Sequence, residues 1–131
     1  MNVIGSVLLD TSVAVGYFRQ DLDLQKKIDQ VNDVYLPLVA LGELLYGVKK
    51  SAHQARTLAQ LKTFLSGCIL LFPDETTAEF YGEIKAQLSA AGTPIPQNDI
   101  WIAAAAKEHD LPIATRDRHF SLVSGLTVLQ W

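Results

Sequence analysis

The amino-acid sequence predicts a three-layer α/β domain on a mostly parallel central sheet of about five strands. Three observations predict it. Short apolar stretches with strand character alternate along the whole chain with longer stretches of helical spacing. The first apolar stretch, "VIGSVLL" (3–9), is continuous rather than alternating, as in a strand covered on both faces. The 131 residues, 49% of them hydrophobic, suffice for one core and one domain, 1–131. In such a sheet, sites form outside the carboxyl ends of the strands.

The elements follow in order. After the strand 3–9, "DTSVAVGYF" turns into a helix over about 12–20, with Ser12 as the expected cap of its first turn. "DLQKKIDQV" (23–31) has helical spacing, and "VYLP" (34–37) reads as a short second strand. "LVALGELLYGVKKS" is a helix whose apolar stripe is Leu41, Leu44, Leu45 and Val48, and Lys49 and Lys50 suit its negative end. "QARTLAQLKTFLSG" is the next helix, ended by Gly67, before the strand "CILLF" (68–72). "DETTAEFYGEIKAQLSAAG" opens on an Asp or Thr cap and closes at Gly92. A turn-rich "TPIPQN" leads into the alanine-rich helix "DIWIAAAAKEHD", with Asn98 or Asp99 as the expected cap. "LPIAT" (111–115) is the fourth strand and "LTVLQW" (126–131) a fifth at an edge. No repeat or low-complexity segment interrupts the pattern.

Composition excludes several classes. A formal net charge of −3 argues against polyanion binding by bulk electrostatics, so nucleic-acid contact needs a local basic patch. The single cysteine, Cys68, has no partner for a disulfide or a paired-cysteine metal site and reads as an inert core thiol. The opening "MNVIGSVLLD" lacks a basic leader, and no apolar run approaches the ~20 residues of a membrane span. A soluble cytoplasmic protein is the expectation.

The candidate site residues are acids. Asp10 ends the first strand and Asp117, in "IATRDRHF", follows the fourth, so a parallel sheet brings both to one rim. Asp99 joins them only if the loop "TPIPQN" reaches that rim. On its helix Glu43 lies nearly opposite the leucine stripe, beside Val39, Ala40 and Gly47, a face that admits close approach of backbone or an ion. Taken by itself, this helix also fits a solvent-facing Glu43.

Together, "LLDTSV", "PLVALGELLYGVKKS", "PQNDIWIAAAAKEHDLPIATRDRHFSLV" and "LTVLQW", in this order, resemble a PIN-domain ribonuclease of the VapC toxin type. The resemblance covers essentially the whole chain. It implies that Asp10, Glu43, Asp99 and Asp117 are the catalytic acids, that Asn98 forms an Asn-Asp pair with Asp99, and that Ser12 and Thr115 support them. It also implies RNA cleavage leaving a 5′-phosphate and a 3′-hydroxyl, a homodimer, and a VapB-like antitoxin whose tail covers the groove, in a higher-order complex.

The implied cluster makes physical sense only with a counter-charge. Two carboxylates ~5 Å apart at an effective dielectric of ~20 repel by ~3 kcal/mol. Oxygen ligands without His or Cys favour Mg2+ or Mn2+ over Zn2+. Asp10 and Asp99 are the expected main ligands, directly or through water. Asp117 is a further ligand and Glu43 the water-orienting or general-base carboxylate, roles that are interchangeable at this level.

Other residues divide by chemistry. Arg116 and Arg118 flank Asp117 and are candidates for an RNA phosphate, or for ion pairs with neighbouring acids. His119 sits close enough to Asp117 to assist but has no partners at ligand spacing in the sequence, and Phe120 reads as a core plug that orients its loop. Glu75, Glu79 and Glu83 read as a solvated helix face, and Trp101 and Trp131 as packing or dimer contacts. A haloacid-dehalogenase-like phosphatase needs a second Asp two residues after Asp10, where Ser12 stands. A phospho-accepting receiver needs an acidic pair at the first strand and a Lys after a late one, and "VLLDTS" and "IATRD" supply neither. A PIN fold kept as an RNA- or protein-binding module without nuclease activity is the remaining alternative.

Overall fold

The computed structural model describes residues 4–131. Its elements are β1 (Ile4–Leu9), α1 (Thr11–Phe18), α2 (Leu22–Asp29), β2 (Val31–Pro37), α3 (Leu38–Lys50) and α4 (Gln54–Ser66). They continue with β3 (Cys68–Leu71), α5 (Glu75–Ala91), α6 (Gln97–Glu108), β4 (Ile113–Thr115), a 3-10 helix (Arg118–Leu122) and β5 (Val128–Gln130). The sheet order is β3-β2-β1-β4-β5, and every pairing is parallel.

This order sets the site's location. From β1 the chain proceeds outward to β2 and β3, whereas β4 leads to β5 on the other side. The reversal lies between β1 and β4, paired through Leu8–Ile113 and Leu9–Ala114. A crevice opens at the carboxyl ends of such a pair, because the two following loops diverge.

The continuous apolar run predicted for the first strand is buried on both faces: Val7, Leu8 and Leu9 are all fully inaccessible. Successive strand residues point to opposite faces, so layers cover β1 above and below. On the β4 side, Ala103, Ala104, Ala105 and Ala106 of α6 are buried, small side chains that let the helix lie close to its neighbours. Helix α5 packs along α6 and is tied to it at one end by Thr77 Oγ1, which donates to Glu108 Oε1 at 2.6 Å. The start of α5 is a reciprocal cap: Asp74 accepts from the Thr77 N–H and Thr77 Oγ1 accepts from the Asp74 N–H. Gly92, at φ 70°, closes it in the left-handed region, as expected.

Several expected boundaries shift, each for a tertiary or capping reason. Val3, the expected start of the first strand, lies outside the described residues. The second strand begins at Val31 rather than at 34, because pairing of Val31 with Ile4 extends it backward and shortens the preceding helix. The first helix begins at Thr11, because Asp10 rather than Ser12 is its cap, accepting from the Val13 N–H at 3.0 Å. The fourth strand narrows to 113–115 and the fifth to 128–130, where their ladders with neighbours run. On α3 the core stripe is Ala40, Leu44 and Val48, spaced by four, while Leu45 is 40% exposed and Leu41 lies on its shoulder.

Helices α1 and α2 meet in a tight corner. A Cβ on Gly16 would overlap Leu24 Cδ1, so glycine permits that approach. Among the described residues no helix is long and apolar enough to cross a membrane.

Candidate metal centre

Asp10 lies directly beyond β1 and is only 3% exposed. Three donors compensate its burial. Oδ1 accepts from the Val13 N–H and from Ser12 Oγ at 2.7 Å, and Oδ2 accepts from Thr115 Oγ1 at 2.6 Å. Burial pushes its carboxyl above the usual range and the nearby Asp117 charge adds to this, while the three hydrogen bonds oppose it. A carboxylate has about four acceptor positions, so about one remains on Asp10 for another partner.

The two hydroxyls also fix the opposite loop. Ser12 Oγ accepts from the Arg116 N–H at 3.1 Å, and Thr115 Oγ1 accepts from the Asp117 N–H at 2.8 Å. Each hydroxyl gives its proton to Asp10 and receives a backbone N–H from the segment that carries Asp117. The acid after β1 and the acid after β4 are thereby held by the same two side chains.

Asp99 reaches the rim from the first turn of α6. Contrary to the sequence expectation, neither Asn98 nor Asp99 caps this helix. The capping position is Pro96, at φ −56° and ψ 144°, without a side-chain hydrogen bond. Proline there presets the backbone, and Asp99 falls in the first turn, where the helix dipole favours an anion. Its carboxylate is thus free to face outward from the helix end. Burial raises the Asp99 carboxyl above its ordinary range and the charges of Asp117 and Glu43 add, against a hydrogen bond and charge from His119.

Glu43 is half-buried rather than solvent-facing, because α1 packs against α3 and Thr11 Oγ1 donates to Glu43 Oε1 at 2.7 Å. Beside it a groove of about 1080 Å³ is lined by residues including Thr11, Val15, Glu43, Tyr46, Lys50 and Asn98. A smaller apolar cavity of about 240 Å³, lined in part by Leu38, Phe72 and Trp101, contains none of the four acids.

His119 stands beside two of the acids, closer than its place in the sequence indicates. Its Nδ1 lies 3.2 Å from Asp99 Oδ2 and 3.0 Å from Asp117 Oδ1. Asp117 caps the 3-10 helix by accepting the His119 N–H at 2.9 Å, and Phe120, fully buried, anchors the same turn in the core. The spacing of two residues from Asp117 was the available signal, because a capped 3-10 turn brings the ring back beside the capping carboxylate.

The arginines separate. Arg116 Nη2 pairs with Asp21 Oδ2 at 2.8 Å, a partner at the start of α2 that the sequence did not suggest; the Leu24 N–H first, and then this pair, hold the Asp21 carboxyl below its usual range. Arg118 is exposed and makes no ion pair among the described residues. Lys50 Nζ lies 4.7 Å from the centroid of the Tyr46 ring. Glu75, Glu79 and Glu83 are exposed, and Trp101 stacks on Tyr81. The half-buried Cys68 thiol is pushed up to about 11 by burial, which keeps it protonated.

Ligand atoms of Asp99, Asp117 and His119 all lie within 4.8 Å of one another. With Asp10 behind them and Glu43 beside Asp99, the donor set fits a divalent cation: hard oxygens in excess, partly open to solvent.

Comparison with known proteins gives concordant matches. The profile of the PIN domain matches residues 7–126. The chain is 32% identical over 127 residues to "Ribonuclease VapC2" of Haemophilus influenzae, covering 95% of this chain and 96% of that protein. It is 37% identical over 127 residues to "tRNA(fMet)-specific endonuclease VapC" of Shigella flexneri, with the same coverage. Among solved structures, VapBC2 of Rickettsia felis bound to a promoter DNA fragment superposes with a TM-score of 0.90 at 23% identity, covering 96% of this chain and 98% of that one. The DNA-bound VapBC of Salmonella typhimurium superposes at 0.87 with 26% identity and covers 98% of both chains.

Proposed function

As this chain belongs to the PIN domain family, among its VapC ribonucleases, we propose that it is a metal-dependent endoribonuclease and the toxin of a VapBC-type pair. One observation carries the reading of the site. Four acids, from the turn after β1, from α3, from the first turn of α6 and from the loop after β4, lie near one another at the edge where the strand order reverses.

When bound, Mg2+ or Mn2+ neutralises the carboxylates, polarises a phosphoryl oxygen and makes a bound water more acidic. Asp99 and Asp117 would hold the cation, and Asp10 would contribute through its remaining acceptor position, directly or through water. Ser12, Thr115 and the Val13 N–H keep that position aimed by occupying the others. Glu43, oriented by Thr11, takes the proton of the attacking water. Asn98 lines the groove with Glu43, where the substrate strand approaches. Arg118 supplies a phosphate contact at the rim, and Arg116 serves the fold through Asp21. In-line attack breaks the bond from phosphorus to the 3′ oxygen and leaves a 5′-phosphate and a 3′-hydroxyl.

The partners follow from the same premise. RNA is the substrate, and a small VapB-like antitoxin occupies the groove when the toxin is held inactive, in a homodimer-based complex in the cytoplasm. The test is cleavage of RNA by purified chain freed of any partner. Cutting with Mg2+ or Mn2+, loss with EDTA and loss in Asp99→Asn are the expected results. Undiminished cutting by Asp99→Asn, or in EDTA, overturns the mechanism.

A further inference from the structure

We propose, on the reading of this site as a cation-dependent nuclease centre, that His119 is itself a ligand of the cation through Nδ1. The centre is then a mixed nitrogen–oxygen set, with Asp99, Asp117 and His119 around the ion and Asp10 behind them, that favours Mn2+ over Mg2+. Three observations carry this.

The spacing is that of ligands around one ion. Ligand atoms at adjacent octahedral corners, each ~2.1 Å from the metal, stand ~3.0 Å apart. His119 Nδ1 stands 3.0 Å from Asp117 Oδ1 and 3.2 Å from Asp99 Oδ2. The ring's position is also built rather than incidental. The His119 N–H is fixed on Asp117 Oδ1, and its chain neighbour Phe120 is locked in the core. The surrounding charge is suitable as well: of the two arginines that flank Asp117, Arg116 is paired with Asp21 and Arg118 makes no ion pair among the described residues, so neither is bound to these acids in the cation's place.

The preference follows from ligand chemistry. Imidazole nitrogen suits transition metals, whereas Mg2+ takes oxygen and holds its waters. Replacing one carboxylate oxygen by nitrogen therefore costs Mg2+ more than Mn2+.

The experiment uses the untagged, metal-free full chain with Mn2+ alone, read by pulsed electron paramagnetic resonance and by titration of free Mn2+. Bound Mn2+ is expected to show a directly coordinated nitrogen. That signal is lost in His119→Gln and His119→Asn and kept in His53→Gln and His109→Gln, the other two histidines of the chain. Mn2+ affinity falls on the order of tenfold in His119→Gln. Competition with Mg2+ shows a smaller fall for Mg2+. Mn2+ that binds, and is lost in Asp99→Asn, yet shows no nitrogen in the wild type overturns this inference and leaves the nuclease reading standing. A nitrogen signal that survives in His119→Gln overturns it too. Absence of any Mn2+ binding overturns both.

Discussion

Thr115 Oγ1 donates to Asp10 Oδ2 across 2.6 Å, joining two residues 105 positions apart in the chain. Both are buried, Thr115 completely. The bond closes the seam between β1 and β4 at the point where their following loops separate. Thr115→Val removes the donor and leaves a buried carboxylate short of one partner, at a cost of about 1–3 kcal/mol. Urea denaturation of metal-free protein checks this, and Thr115→Ser, which restores the hydroxyl, is expected to recover most of the loss.

The pH dependence of stability has two windows with opposite signs. Asp10 and Asp99 have folded values above the ordinary 3.8, because burial disfavours their charge. In the metal-free protein the folded state therefore binds more protons than the unfolded one, and stability falls as pH rises from about 3.8 through the raised values. Asp21 and Asp74 have folded values below 3.8, chiefly because backbone N–H groups of Leu24 and Thr77 bind their charged forms. Their contribution is present above 3.8 and is lost as pH falls through the lowered values. Stability measured by denaturation across acid pH is expected to show both limbs. Asp99→Asn should flatten the upper limb alone, and an unchanged upper limb contradicts the assignment.

Glu43 and Thr11 give a kinetic pair. Glu43→Gln keeps the shape and removes the base, so RNA cleavage is expected to fall by about 10²–10⁴. Thr11→Val leaves the carboxylate and frees its orientation, and a smaller loss, on the order of tenfold, is expected with metal affinity unchanged. Equal losses in the two variants would contradict a positioning role for Thr11.

Arg116 and Arg118, adjacent to the same aspartate, are expected to behave differently. Arg118→Ala should leave thermal stability unchanged, weaken RNA binding, and reduce the salt dependence by roughly 0.7 in logarithmic slope, one phosphate contact on a single strand. Arg116→Ala should lower stability by at most about 1 kcal/mol, the range for a partly exposed ion pair. A salt slope altered by Arg116→Ala and not by Arg118→Ala reverses the assignment.

Gly16 tests the corner of α1 and α2. Gly16→Ala sets a methyl group against Leu24, a fully buried side chain, at an expected cost of about 1–3 kcal/mol. In the double variant with Leu24→Ala the two losses should be less than additive, because the second change opens the space the first requires.

The sequence by itself determined the alternation of elements, the doubly covered first strand and the acids at strand ends. These are local or periodic properties. "VLL" before Asp10 is continuous because both faces of β1 are covered, and the Asp74–Thr77 cap closes within four residues. The positions of Asp10 and Asp117 followed from parallel strands alone. Reading Glu43 as a site residue needed the family resemblance, since one helix cannot reveal what packs beside it.

Tertiary structure decided which residues share contacts. No periodicity tells that Arg116 meets Asp21, that Thr11 meets Glu43, or that Ser12 serves Asp10 instead of capping its own helix. The His119 ring reaches Asp99 only because β1 and β4 are neighbours, α6 begins beside them, and a 3-10 turn bends the chain back. Backbone hydrogen bonding and apolar periodicity act over a few residues and are written in the local sequence. The partners of a polar side chain are set by strand order and helix packing, which bring together segments a hundred residues apart.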